Sequence, residues 1–506
     1  MIFAVSAAFI GTLAFAADFP EDGAWDRYRV LLPDQPDAIA TSAYASVVIG
    51  RPSEDVPYVI ETAPALDNYD AEEAIEAMAV EPWHARGEGG AGVKVAVFDV
   101  QWFNAAVQTA ELGDVTTHDC EAHRSCDVPM DTIRPRFSFE EGAHGVACAQ
   151  VIHDIAPDAD LHLVRVNGTT TFENASAWAV RNDIDVVSMS MSFFDNSFHD
   201  GTGPLNAAAG RMNDGGVLLV NSAGNYATEH WAGDFVDSDA DDRMEFPWGG
   251  EYLPVYYSSG VHGVTVSWDQ FSNCGDTDLD ILAFDDEGTI VGRSEGKQDA
   301  DGKSCAPVER VSVHCAEKGW YYLRILRKSG DRNVRVGIYG RGGTVYGATS
   351  GSLADPASYE GAFTVGAVRA GDYATNEAES FSSLGPTRAG VPKPDIAGPD
   401  GISTTVYGMR GFYGTSAATP AVAGALAVLM GAEARLTPDA AAERLMATAI
   451  GDGATWEAAD GALGAGRARL PDPDAEPPGG PCGTGGGATL APCLLWWGRH
   501  RRRGGP

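Results

Sequence analysis

The sequence predicts an α/β protein built on a doubly wound, mostly parallel sheet, with an antiparallel β-sandwich inserted into it. Near-continuous apolar runs such as Val93–Phe98 and Gly216–Val220 have the character of strands buried on both faces. These runs alternate with helical patterns over Phe172–Val180 and Leu205–Met212, the order that a parallel sheet between two helical layers requires. From about Glu245 to Arg341 the helical patterns stop, and short alternating runs separated by turn residues take their place, as in a sandwich.

Size and charge narrow the function classes. A chain of 506 residues exceeds a single compact core, so a main domain, one smaller unit and tails are expected. Lys and Arg total 35 against 71 Asp and Glu, a formal net charge of -36. Nucleic acid is excluded as a partner, because its phosphates would be repelled.

In chain order, residues 1–16 are almost wholly apolar and end in Ala14-Phe15-Ala16, a small-x-small cleavage pattern that reads as a secretory signal. A secreted or cell-surface product follows. Residues 17–81 are acidic and weakly patterned, with strand-like Tyr44–Ile49 and helix-like Ala71–Met78. They form either a propeptide or an N-terminal extension. The main domain is expected in two parts, 82–244 and 342–470, around an insert at 245–341. Its strands are Val93–Asp99, Asp160–Val166, Ile184–Ser192, Gly216–Asn221 and Ala362–Val368, and Thr437-Pro438 opens a closing helix. Residues 471–506 run from a Pro/Gly linker through apolar Ala488–Gly498 to basic Arg499–Arg503. That apolar run is about half of the ~20 residues a spanning helix needs. With Cys482, the order resembles the tripartite C-terminal sorting tails of some exported bacterial proteins, which implies attachment to the cell surface. Eight cysteines in an exported chain favour disulfides over metal ligands. Cys120 and Cys126 are close enough to staple a loop, while Cys274, Cys305 and Cys315 allow one pair with one thiol left over.

Candidate chemistry centres on Gly411-Phe412-Tyr413-Gly414-Thr415-Ser416-Ala417-Ala418-Thr419-Pro420 and the apolar run after it. The glycines permit a sharp turn directly into a buried helix. Ser416 then sits at the helix N-terminus, beside free N–H groups and the positive end of the dipole, which suits a nucleophile that must stabilise an oxyanion. Pro420 is read as lying early enough in the helix to cost little. Asp99 ends a buried strand, where catalytic groups of open α/β sheets gather. His144 opens a helix, with Cys148 one turn beneath it. The strand before Ser222-Ala223-Gly224-Asn225 delivers an amide that can donate to an oxyanion. Asp237, Asp239 and Asp241 place carboxylates at alternate positions, as either a structural calcium site or a solvated acidic loop would. No other cofactor is required for the chemistry.

Four separated motifs agree, and with them the sequence resembles a subtilisin-like serine protease of the subtilase family. They are Val95-Ala96-Val97-Phe98-Asp99, His144-Gly145-Val146-Ala147-Cys148, Asn221-Ser222-Ala223-Gly224-Asn225 and Gly414-Thr415-Ser416-Ala417-Ala418-Thr419-Pro420. The order Asp, His, Ser is the subtilase order. Cys148, four residues after the histidine, is similar to the arrangement in the proteinase K branch. The resemblance implies Ser416 as nucleophile, His144 as general base and Asp99 as its orienting carboxylate, with Asn225 and the Ser416 N–H as oxyanion donors. It also implies that Ser190, Met191 and Ser192 pair with an extended peptide substrate, so the partners are proteins or peptides. The insert resembles the β-sandwich modules of pre-peptidase C-terminal type.

The sequence departs from the family at Val100-Gln101-Trp102, where Thr or Ser and then Gly usually follow the aspartate. It departs again at Val146 after His144-Gly145, and at Ser192 in place of a glycine, which restricts the primary specificity pocket. A neutral His144 with an ordinary pKa near 6.5 would make the rate rise through roughly pH 6 to 8. The rival reading is an inactive subtilase fold used as a surface binding or adhesion module. The acid-acting sedolisin branch carries Glu where this chain has His144-Gly145.

Overall fold

The computed structural model describes residues 69–102, 111–113, 115–130, 143–271, 277–298, 306–330, 333–433, 436–451 and 462–475, with three short strands nearer the N-terminus. The expected signal segment, most of the 17–81 extension, Cys274, Cys305 and the sorting-type tail lie outside the described residues.

Strands β1 (Tyr28–Leu32), β2 (Gln35–Ile39) and β3 (Ile60–Thr62) make a small antiparallel sheet. Helices α1 (Glu72–Ala77) and α2 (Glu81–His84) follow, burying Ala74 and Trp83 against the main core. The main domain begins with β4 (Lys94–Asp99), β5 (Thr116–Asp119), α3 (His144–Ile155), β6 (Asp160–Arg165), α4 (Thr169–Arg181), β7 (Val186–Met189), α5 (Gly203–Asp214) and β8 (Leu218–Ser222). Nine antiparallel strands come next: β9 (His230–Asp234), β10 (Leu253–Tyr257), β11 (Gly260–Trp268), β12 (Asp278–Phe284), β13 (Ile290–Ser294), β14 (Val308–Cys315), β15 (Gly319–Ser329), β16 (Arg335–Gly340) and β17 (Gly343–Val345). The chain then returns through β18 (Phe363–Arg369), β19 (Ile396–Asp400), the hairpin β20 (Ile402–Thr404) and β21 (Gly408–Phe412), α6 (Thr415–Ala432) and α7 (Pro438–Ala447).

The seven main strands are parallel, in the order β19-β18-β8-β7-β4-β6-β5. Side chains alternate across a strand, so Val95 and Val97 of β4 face α3 and α6, while Ala96 and Phe98 face α4 and α5. Apolar residues are therefore needed at every position. Helix α6 is long and apolar enough to cross a membrane by length and composition, but 83% of it is buried. It packs on α3 and on β7, β8, β18 and β19, as the central core helix.

The insert's sheets run β13-β12-β15-β10-β17 and β14-β11-β16-β9, with Val255, Val266, Ile281, Val313, Ile325 and Ile338 in one shared core. The antiparallel region begins at His230, before the expected 245, because β9 pairs with β16 through Trp231 and Ile338. It ends at Val345 rather than 341. Strand β9 is short and carries no clear alternation, so nothing local marks it as a strand. Likewise β7 ends at Met189, and Ser190–Ser192 continue beyond it. Cys120 and Cys126 are bonded, and Cys148 and Cys315 are buried free thiols.

Candidate functional site

Asp99 is buried at the carboxyl end of β4, and His144 is the first residue of α3. One carboxylate oxygen of Asp99 accepts the Gln101 N–H at 2.9 Å, and the other lies 2.6 Å from His144 Nδ1. Pairing at Nδ1 leaves Nε2 as the ring's available acceptor. The helix can start this close to the strand only through Gly145. A Cβ there would stand 2.7 Å from Asp99 Cβ and 2.9 Å from the Trp102 ring. Trp102 is buried and donates its indole N–H to the Asp99 carbonyl at 2.8 Å, while the Gly145 N–H donates to the Gln101 carbonyl at 3.0 Å. The unusual Val100-Gln101-Trp102 thus holds both the aspartate and the start of the histidine helix.

Burial alone would lower the His144 pKa, but the Asp99 carboxylate and the Cys148 sulfur outweigh it and hold the imidazole well above its ordinary value. A base of this kind titrates above pH 6.5, so the expected rise between pH 6 and 8 moves upward. Cys148 Sγ lies 4.0 Å from His144 Nδ1 and 3.8 Å from the Ser416 carbonyl, and the Phe412 ring stands edge-on to the imidazole at 5.7 Å. His144 and Ser416 therefore share a neighbour.

Ser416 is the second residue of α6 and half-buried, so its N–H belongs to the first turn, which has no intrahelical acceptor. Gly414 precedes the helix with φ +99°, and a Cβ on it would stand 2.8 Å from Asn225 Nδ2. Its N–H donates to the buried Asp400 at 3.0 Å. Burial pushes Asp400 up to about 6. Pro420 lies deeper than the sequence suggested, at the sixth helical residue. Its missing N–H leaves the Ser416 carbonyl without its i+4 donor. The Ser190 hydroxyl fills that vacancy, donating to Ser416 O at 3.0 Å.

Asn225 follows β8, and its side-chain oxygen accepts both the Thr415 N–H and the Thr415 hydroxyl at 3.0 Å. Thr415 Oγ1 in turn accepts the Gly224 N–H at 3.1 Å. With its oxygen committed to Thr415, Asn225 presents its NH₂ group as the free donor. Of the expected substrate segment, the Ser190 hydroxyl is tied to Ser416, Met191 packs against the core, and Ser192 leads into Phe194, whose ring stands edge-on to Tyr226.

Carboxylate atoms of Asp237, Asp239 and Asp241 lie within 4.8 Å of one another. The loop's own N–H groups and two arginines already engage them. Asp241 N–H donates to Asp237 and Asp239, Arg327 stands 3.7 Å from Asp237, and Arg243 stands 3.2 Å from Asp241. The two arginines supply part of the countercharge a cation would bring, and each also serves a second acid, Glu251 for Arg243 and Asp242 for Arg327. Asp70, Glu111 and Asp154 also converge, with Asp154 pushed up to about 7 by burial, despite the Ala71 N–H it accepts, and by the two neighbouring acids. No spacing rule joins these three in sequence. The roles of Thr415 and Asp400 are hidden in the sequence for a related reason, since each acts through a partner in another segment.

The model of the subtilase family matches residues 90–278 and 326–470, and the gap between the two blocks falls within the antiparallel insert. The minor extracellular protease Vpr of Bacillus subtilis (strain 168) is 26% identical over 437 residues, 76% of this chain and 51% of Vpr. The chain thus spans about half the length of that curated relative. Among solved structures, the CspB protease of Clostridium perfringens matches with a TM-score of 0.53 at 16% identity, covering 79% of this chain and 96% of that one. This likeness establishes the subtilisin-like fold. With the family model covering most of both halves of the parallel domain, the chain belongs to the subtilase family.

Proposed function

We propose that the protein is a secreted serine endopeptidase that hydrolyses peptide bonds through an acyl-enzyme intermediate. Ser416 Oγ attacks the scissile carbonyl while His144 Nε2 takes its proton, and Asp99 holds the ring and stabilises the imidazolium. The Asn225 NH₂ and the Ser416 N–H receive the oxyanion, aided by the α6 dipole. His144 then gives its proton to the leaving amine and activates the water that releases the acyl group. The observation that carries this reading is the 2.6 Å Asp99–His144 pair, set against the Ser416-bearing helix with Cys148 touching both. Vpr's extracellular setting supports export.

The test is labelling of the purified full chain by an alkyl fluorophosphonate, together with hydrolysis of a peptide mixture. Both are expected, and both should vanish in Ser416→Ala. A folded protein that neither reacts nor cleaves is instead an inactive fold serving as a binding module. N-terminal sequencing and the mass of the secreted protein test the signal, the propeptide and the tail together.

A further inference from the structure

Strands β7 and β8 are parallel neighbours, and the chain continues past their carboxyl ends as Ser190–Ser192 and Ala223–Asn225. A peptide whose carbonyl sits between Ser416 and the Asn225 amide, and whose backbone runs along Ser190–Ser192, must direct its preceding side chain between these two segments. That space is occupied. A Cβ built on Gly224 would collide with the edge of the Tyr226 ring, so the ring lies directly on one wall. On the other side the ring meets Phe194, which follows Ser192 in the chain. The ring thus spans the recess from side to side.

The tyrosine is also held from behind. Its N–H donates to Ser383 Oγ at 3.1 Å. Phe194 stands edge-on to its ring at 4.9 Å, and Tyr339 of β16 does so at 5.8 Å. Tyr339 is fully buried and anchored by a 3.0 Å bond from its hydroxyl to the Leu353 carbonyl. The loop carrying Phe194 is fastened to the insert as well, through Asp195 and Arg310 at 2.8 Å and through Arg341 over the Phe194 ring.

We infer that Tyr226 fills the recess for the side chain on the acyl side of the scissile bond, restricting this chain to glycine or alanine there, and that Tyr339 of the insert holds it in place. The inference rests on the protease reading. Swinging the ring out would break its contacts with Phe194 and Tyr339, so a large side chain must displace a supported group rather than enter an open space.

The experiment compares labelling rates of the full chain by three probes. These are a plain alkyl fluorophosphonate and two aminophosphonate diphenyl esters with a methyl or a benzyl side chain at the acyl-side position. The methyl probe should react at least about 100-fold faster than the benzyl one, in line with the 10–200-fold that even one methylene can command in a shaped pocket. In Tyr226→Ala this ratio should narrow tenfold or invert, with Tyr226→Leu as a second variant that keeps apolar packing. Tyr339→Leu should narrow it less, and an unchanged ratio there removes the insert from the inference. Equal rates of the two esters on the wild-type chain, or an unchanged ratio in a Tyr226 variant that still takes the plain probe, overturn it. Failure of the plain probe on the wild-type chain withdraws the protease reading itself, and this inference with it.

Discussion

In the parallel sheet a strand such as β4 is apolar on both faces, whereas β14 of the insert turns Val311 and Val313 inward and Arg310, Ser312 and His314 outward. The difference decides where polar groups can go. A strand covered by helices on both sides leaves its carboxyl end for chemistry, and Asp99, Ser190 and Asn225 all stand at or just past such ends. A sandwich strand has a whole outer face open to water, so its polar residues spread along its length. Substitutions should therefore remove chemistry in the first region and packing in the second.

The largest effect expected tests the strand-end rule. Asn225→Ala should lower turnover of a peptide amide by about 10² to 10³, the magnitude known for this donor in the subtilases, and should also cost about 1–3 kcal/mol of stability, because buried Thr415 loses its acceptor. Near-normal turnover would detach β8 from the chemistry. In the insert, Ile338→Ala empties a fully buried site and should cost about 2–5 kcal/mol in denaturant unfolding. Fluorophosphonate labelling of the folded fraction should persist, and a parallel loss of labelling would show that the two regions act as one.

Asp400 sharpens the comparison at the seam before α6. Its raised value of about 6 means that the neutral acid is the form favoured by folding. Its contribution is present below the ordinary carboxylate range and lost as pH rises through about 6. Asp400→Asn keeps an acceptor for the Gly414 N–H and should add about 2–3 kcal/mol at pH 8 but nothing near pH 4. A gain of equal size at both pH values would mean that ionisation is not the cause. For His144 the rate and the stability move in opposite directions. Because its folded value is raised, protonation stabilises the fold fully below about pH 6.5, and this is lost as pH climbs through the raised value. The kcat/KM limb should accordingly lie above pH 6.5 and fall about tenfold per unit below it. A flat profile from pH 4 to 9 would count against His144 as the base.

The smallest effect belongs to the acidic loop of the insert. Asp239→Ala, at an exposed position, should shift stability by less than about 0.5 kcal/mol whether or not calcium is added. A calcium-dependent rise in melting temperature that disappears in this variant would establish the loop as an ion site after all.

Residues with a local signature were legible from sequence. Asp99 closes an unbroken apolar run, His144 and Asn225 sit beside glycines at element ends, and Ser416 follows a glycine into a wholly apolar helix. The remainder depended on distant partners. Ser190 reads only as part of a substrate strand, and its second task, a hydroxyl donated to the Ser416 carbonyl, shows only once Pro420 is seen to leave that carbonyl without a donor. Strand β9 has too little alternation to announce itself and exists because β16 pairs with it. Tyr226 gains its meaning from Phe194 and Tyr339, which approach it from two other segments.

Strands β8 and β18 lie side by side, Val220 next to Phe363, although the chain builds the whole insert between them. Joining ends so far apart along a polymer carries an entropic cost, which a module that has already collapsed makes smaller. Pairings of such long range also form slowly. A chain emerging residue by residue would thus complete its middle before its sheet could zip shut, and would receive Ser416 later still. The proposed nucleophile thus meets Asp99 and His144 only after the insert that lies between them in the sequence has been made.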